Sequence, residues 1–255
     1  PELGREGWTS RVVRRLPGGS VVDLRTASDH TTIFQEEAAS FRSMKKSLHA
    51  RARHFRHQSR HRTALILIHG FMAGDLLLEE LEWPTHAFYE AGLDVVLAVL
   101  PGHGPRKDNR PWEAPQWPAK TPTFTIEGYR KAIGELRGLV THLLADGVTH
   151  VGVVGMSLGG YTSALFSTVE SRLSLVAPFI PLASTADFLR DNGQIHGTPE
   201  QIGKQYEILE AMFASVSPLT RPCLVPREGR MVFGGEHDRV AALALADRLA
   251  AHFGV

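Results

Sequence analysis

Cysteine is almost missing from this chain. Cys223 is the only one in 255 residues, which excludes an internal disulfide framework and any metal site built from several thiolates. That usage fits a reducing compartment, and a cytoplasmic location is the expectation. Long apolar runs are missing too: residues 95–100 and 173–182 are the longest strongly apolar stretches, well short of the roughly 18 residues a membrane span needs. The opening residues, Pro1-Glu2-Leu3-Gly4-Arg5, hold no basic start followed by an apolar stretch, so no secretory signal is expected in the given residues. No Gly-x-Gly-x-x-Gly follows the first clear parallel strand and no Gly-x-x-x-x-Gly-Lys-Ser/Thr occurs anywhere, which argues against hydride and phosphoryl transfer. The 13 histidines include no His-Glu-x-x-His pair, and neither a metal nor an organic cofactor is expected.

Net charge is only +1, yet its distribution is uneven. Residues 42–62 hold eight Lys or Arg and four His with no acid, so the remainder carries 1 − 8 = −7. Phe34, Ala38, Phe41, Met44, Leu48, Ala52 and Phe55 recur there at three- and four-residue steps, a spacing that predicts a basic amphipathic helix. The favoured reading is a helix that packs its apolar stripe on the domain and solvates its charges. Contact with an anionic membrane surface through 42–62 is possible but not favoured, and nucleic acid is not expected as a partner.

Beyond residue 62 continuous apolar runs alternate with helical stretches, the signature of a parallel sheet covered on both faces. Runs at 64–68, 95–100, 148–154, 173–180 and 230–233 each stop at a glycine or proline turn. Helices are predicted over 126–145, with Asp146-Gly147 closing it, and from Thr198-Pro199-Glu200-Gln201, close to a capping box. A turn at Gly18-Gly19-Ser20 leads into an early strand at 21–24. Residues 105–123 carry five prolines and two tryptophans, which predicts an ordered or mobile loop. Some 45 residues separate two consecutive strands over 183–228, and an inserted helical cap explains that length. Phe188, Ile195, Ile208, Leu209, Met212 and Phe213 within it either line a pocket or pack the cap on the sheet.

Gly155-Met156-Ser157-Leu158-Gly159-Gly160 follows an apolar strand and precedes a helix-compatible run, the context that a Gly-x-Ser-x-Gly nucleophile turn requires. A serine there takes a strained backbone that only small neighbours permit. Together with Ile68-His69-Gly70-Phe71, Leu100-Pro101-Gly102-His103-Gly104 and Gly234-Gly235-Glu236-His237-Asp238-Arg239, this order of motifs resembles the α/β-hydrolase family over residues 62–255. The resemblance implies a mostly parallel central sheet with helices on both faces, Ser157 as nucleophile, and the Phe71 and Leu158 backbone N–H groups as oxyanion donors. It makes His69 structural. Asp238 falls where the family usually places the triad acid, a surface salt bridge with Arg239 being the alternative, and Asp187 is the reserve acid.

The pattern breaks at the histidine. The family carries it on a loop after one further strand, which is expected beyond Val255; His252, His237 and His103 are poor substitutes. The resulting division is an N-terminal part (1–62, strands plus the basic helix), a core (63–182 and 229–255) and a cap (183–228). The function implied is a serine hydrolase that cleaves an ester, thioester or amide of a small-molecule acyl substrate through an acyl-serine. An acyltransferase using the same serine, or an inactive binding protein of this fold, are the alternatives.

Overall fold

A computed structural model describes residues 7–59, 62–110, 112–118, 121–238 and 240–255. Arg60, His61 and Arg239 therefore lie outside the described residues. Seven strands form one sheet in the order β1-β2-β3-β5-β4-β6-β7. They are β1 (Thr9–Leu16), β2 (Gly19–Ala27), β3 (His49–His57), β4 (Arg62–Ile68), β5 (Asp94–Val99), β6 (Val148–Met156) and β7 (Leu173–Phe179). The first three run antiparallel and join β5 antiparallel, whereas β5-β4-β6-β7 are parallel neighbours. In register, Ile68 pairs with Ala98 and Gly155, and Gly155 with Pro178. The parallel strands therefore end at one level, where side chains leaving the sheet can converge.

Helices cover both faces, as the continuous apolar strands require. On one side lie α4 (Pro122–Ala145) and α5 (Leu158–Ser167), with α8 (Leu243–Phe253) adding Leu245, Leu249 and Phe253 to the same core. On the other lie α2 (Leu76–Glu82) and α3 (Thr85–Glu90), where Leu76, Trp83, Phe88 and Tyr89 pack on Val95, Leu97 and Phe55. The helix expected over 126–145 forms as α4, stopped by Gly147 at φ +92°. Within 183–228, α6 (Thr185–Asp191) and α7 (Pro199–Phe213) form, and Thr198 and Gln201 complete a capping box at the start of α7.

Two expectations need correction. The long basic helix is absent: α1 (Ala38–Ser43) is a single short helix, a 3-10 turn follows at 45–48, and β3 takes 49–57. Ala52 and Phe55, three apart, suggested one helical stripe. They point to opposite faces of a strand that is buried on both sides, which yields the same spacing. Three of the charges of 42–62 are paired, whereas Arg42, Lys45 and Lys46 are exposed. Arg53 pairs with Asp23 and Glu80 at 2.7 Å each, Arg56 with Asp146 at 2.5 Å, and Arg62 with Asp94 and Asp146 at 2.9 and 2.8 Å. Folding thus pairs three of the eight basic residues of 42–62 with carboxylates.

The second correction concerns 230–233, which forms only two parallel bridges, Val176 to Arg230 and Phe179 to Phe233. Met231 and Phe233 donate to the Val176 and Pro178 carbonyls at 3.0 Å. Proline has no N–H to return on that side, so a continuous ladder cannot form.

Candidate active site

Ser157 sits between β6 and α5 at φ +54°, ψ −112°, a region that non-glycine residues seldom occupy. Its neighbours permit this because they have no side chains. A Cβ on Gly155 would lie 2.0 Å from the Gly159 carbonyl oxygen, and one on Gly159 would lie 2.0 Å from the Ile68 oxygen. The sharp turn thus folds back on itself and presses against the end of β4. The Ser157 N–H donates to the Phe179 carbonyl at 2.9 Å, fixing the turn from the β7 side. Met72 (φ +66°) and Ile180 (φ +41°) are the other described non-glycine residues at positive φ. All three follow parallel strands at one sheet edge, and backbone strain gathered in this way marks functional sites.

Leu158 is the first residue of α5, so its N–H has no intrahelical acceptor, and the Ser157 side chain does not cap the helix. On the β4 side, a Cβ built on Gly70 would be 3.7 Å from the Ser157 Cβ. Phe71 follows directly, and its N–H donates no backbone hydrogen bond among the described residues. Ser157, Leu158 and Phe71 line one cavity of about 430 Å³.

The cavity is largely apolar. Tyr129 of α4 and Phe188 and Leu189 of α6 form its walls, Phe213 at the end of α7 closes another side, and Pro118 and Thr121 of the proline-rich segment reach its rim. Of the apolar residues singled out in 183–228, Phe188 and Phe213 line the cavity, Leu209 and Met212 pack against the core, Ile195 is buried and Ile208 is exposed. The contribution of Tyr129 was hidden in the sequence because the helical period of α4 marks it as core, and that of Thr125 because it precedes the helix expected over 126–145. The proline-rich segment is anchored by Trp117, which is fully buried, donates from Nε1 to the Thr125 carbonyl at 3.0 Å and meets Tyr129 edge-on. Trp112 is exposed.

His69 is wholly buried and held in one tautomer. Its Nε2 accepts from the Leu100 N–H at 3.0 Å, so Nδ1 carries the proton and donates to the Gly70 carbonyl at 2.8 Å. Burial pulls its pKa down to about 4, opposed by the Gly70 hydrogen bond and reinforced by Arg106. The ring therefore stays neutral and pins the end of β4 to the end of β5. His103 is also buried, with Nδ1 paired to the Pro101 carbonyl at 2.8 Å and its pKa pushed well down by burial and by His69.

The two acids differ in what they hold. Asp238 Oδ1 accepts from the Val240 and Ala241 N–H groups at 2.8 and 2.9 Å, and no described residue pairs with Oδ2. Asp187, buried at the start of α6, is fully engaged: Tyr206 and Arg190 meet Oδ1 at 2.9 Å each, and Arg248 meets Oδ2. His252 pairs with the Arg221 carbonyl at 2.8 Å, His237 is exposed, and neither lines the cavity at Ser157. Among the described residues no cluster could hold a metal ion, and no helix is long and apolar enough to cross a membrane.

Comparison with known proteins agrees with this geometry. The chain is 30% identical over 181 residues to two uncharacterized proteins from strains of Mycobacterium tuberculosis, a match covering 69% of this chain and 43% of each relative. It thus spans less than half the length of those relatives. Among solved structures, acetyl xylan esterase 1 from Thermoanaerobacterium sp. superposes with a TM-score of 0.68 at 14% identity, covering 96% of this chain and 77% of that one. An esterase of Pyrococcus furiosus gives 0.56 at 12% identity, covering 97% and 84%. The sequence profile of the Alpha/beta hydrolase family matches residues 65–254. With the strained serine, the level ends of β4, β5, β6 and β7 and the glycine contacts between them, the match leads to one conclusion: the chain belongs to the α/β-hydrolase family.

Proposed function

We propose that this protein is a serine hydrolase that cleaves an ester, thioester or amide through an acyl-Ser157 intermediate. The observation that carries the reading is Ser157 at positive φ, beside the open N-terminus of α5, on the wall of an apolar cavity. Such a serine is exposed to substrate yet held by backbone, so attack costs little reorganisation.

In this reading Ser157 Oγ adds to the substrate carbonyl while its proton passes to a histidine. The tetrahedral oxyanion lies against the Phe71 and Leu158 N–H groups. Collapse expels the leaving alcohol, thiol or amine, which takes the proton back, and water then repeats the sequence on the acyl-serine. Serine near its ordinary pKa is a weak nucleophile without such a histidine. Asp238 is the acid that orients it. Its Oδ1 is held by backbone and its Oδ2 meets no partner among the described residues, which suits the task, whereas both oxygens of Asp187 are taken by cations and a phenol. Residues 183–228 act as the cap: Phe188, Leu189 and Phe213 meet the acyl group and exclude water from it.

The test is labelling of the longest natural form by a fluorophosphonate, read by intact mass beside Ser157→Ala. One adduct, lost in the variant, is expected. Absence of any adduct on folded protein would overturn the hydrolase reading in favour of a binding protein of this fold.

A further inference from the structure

The antiparallel flank carries a second cavity, of about 480 Å³, that shares no lining residue with the one at Ser157. It lies between one face of β1-β2-β3 and the start of α2. Four arginines line it: Arg11, Arg25, Arg51 and Arg53. The strand registers place them together, with Arg25 opposite Arg51 and Asp23 opposite both Arg11 and Arg53.

Two of the four charges are accounted for. Asp23 meets Arg53 at 2.7 Å and Arg11 at 3.6 Å, and Glu80 takes the far side of Arg53. The other carboxylate of the cavity, Asp75, is committed to capping α2, where it accepts from the Leu77 and Leu78 N–H groups. Arg25 and Arg51 have no carboxylate partner among the described residues, and Arg51 Nε is shut off from solvent with no hydrogen-bond partner. Like charges directly opposite on an antiparallel pair destabilise it, and a buried donor left unmade costs more than a satisfied one returns. The surplus of positive charge is felt nearby: burial first, then Arg25 and Arg51, lower the pKa of His49.

A cavity wide enough for a small molecule, lined by two arginines that stand on directly opposite strand positions and have no carboxylate partner among the described residues, is built for a dianion. Planar forked donors match phosphate oxygens two at a time, and two arginines balance two negative charges. We propose that this cavity is a phosphate-monoester binding site, with Arg25 and Arg51 as its anion clamp. The apolar part of the ligand lies against Leu76, Leu77 and Pro105. Leu77, Leu78 and Leu81 of α2 are all exposed beside it, so the phosphate belongs either to a soluble metabolite or to a lipid headgroup whose chains those leucines meet.

The test uses the longest natural form with Arg25→Gln and Arg51→Gln, in two arms. In the first, inorganic phosphate below about 10 mM is titrated at constant ionic strength against chloride and the thermal midpoint is followed, since a ligand that binds only the native state raises it. A saturable rise is expected, with apparent affinity weakened about tenfold or more in each variant. The midpoints in chloride serve as the folding check. Arg25 is exposed, so Arg25→Gln retains the fold even if Arg51→Gln does not. In the second arm, sedimentation with phosphatidylcholine vesicles is compared with and without one-fifth phosphatidic acid. Phosphate binding without sedimentation assigns the site to a soluble phosphorylated molecule; sedimentation that needs phosphatidic acid and is lost in the variants assigns it to a headgroup. The proposal falls if phosphate gives no saturable rise, or if Arg25→Gln responds to phosphate and vesicles as the parent does.

Discussion

Mild acid is the perturbation that most directly probes how the loop beside Ser157 is held. His69 is buried, accepts from Leu100 and donates to Gly70, and it must be neutral to do both. With a pKa near 6.5 unfolded and about 4 folded, the unfolded chain binds the extra proton across the intervening range. The sign follows: stability from this group is fully present above about pH 6.5 and is lost as pH falls toward 4. The loss amounts to about 2 kcal/mol at pH 5 and about 3 kcal/mol at pH 4. Because His103 is also held neutral by burial, the parent protein alone does not isolate the effect. His69→Gln does, since glutamine keeps one hydrogen bond and cannot titrate. Urea unfolding at pH 7 and pH 5 should show the parent losing about 2 kcal/mol more than the variant, a difference of roughly 1 M in the shift of midpoint. Equal losses in both would refute the neutral-tautomer account of His69, whatever the absolute stability of the variant.

Gly159→Ala should be severely destabilising, by more than about 3 kcal/mol, because its Cβ would meet backbone oxygen at 2.0 Å, with no flexible side chain to yield; soluble yield and urea midpoint report it. Trp117→Ala should cost about 3–5 kcal/mol through loss of a fully buried ring and its Thr125 hydrogen bond, seen as a lower urea midpoint. Asp238→Asn in the longest natural form should slow fluorophosphonate labelling by about 10³ to 10⁴-fold. Asp187→Asn should leave labelling detectable while lowering the thermal midpoint, and the reverse pattern would exchange the two roles.

The parallel half was legible in the sequence because its signals are local. Strands buried on both faces read as unbroken apolar runs, and Gly155, Gly159 and Gly160 frame a turn that tolerates nothing larger. The antiparallel flank was less legible. In β3 the apolar Ala52 and Phe55 fall three apart, as on a helix, and only pairing with β2 and β5 decides for a strand. The weak pairing at 230–233 also depended on a distant residue, Pro178, on the neighbouring strand. Within the candidate site, Ser157, Leu158 and Phe71 could be placed from motifs. Tyr129 could not, because a helix residue that lines a cavity has the same period as one that packs a core, and Thr125 lay just before the helix expected over 126–145. Asp238 was preferred to Asp187 from its place after a strand, but the cations and phenol that occupy Asp187 could not be read from the sequence.

Asp94 ties the two halves of the sheet together. It heads β5, which is inserted between β3 and β4 although those two strands are consecutive in the chain. Fully buried, it takes the His54 ring at 2.8 Å, the His57 N–H at 2.9 Å and Arg62 at 2.9 Å. Burial pushes its pKa up, but the His54 hydrogen bond, the His57 N–H and the Arg62 charge outweigh that and hold the carboxyl below its ordinary value. These contacts join β5 to the end of β3 and the start of β4, some 30 to 40 residues away along the chain. Strands β3 and β4 therefore cannot be completed as a hairpin. The flank with the arginine cavity and the half that holds Ser157 become one sheet only through β5, which pairs with β3 on one side and β4 on the other. Asp94 is the latch between the two, its carboxyl bound from both neighbouring strands.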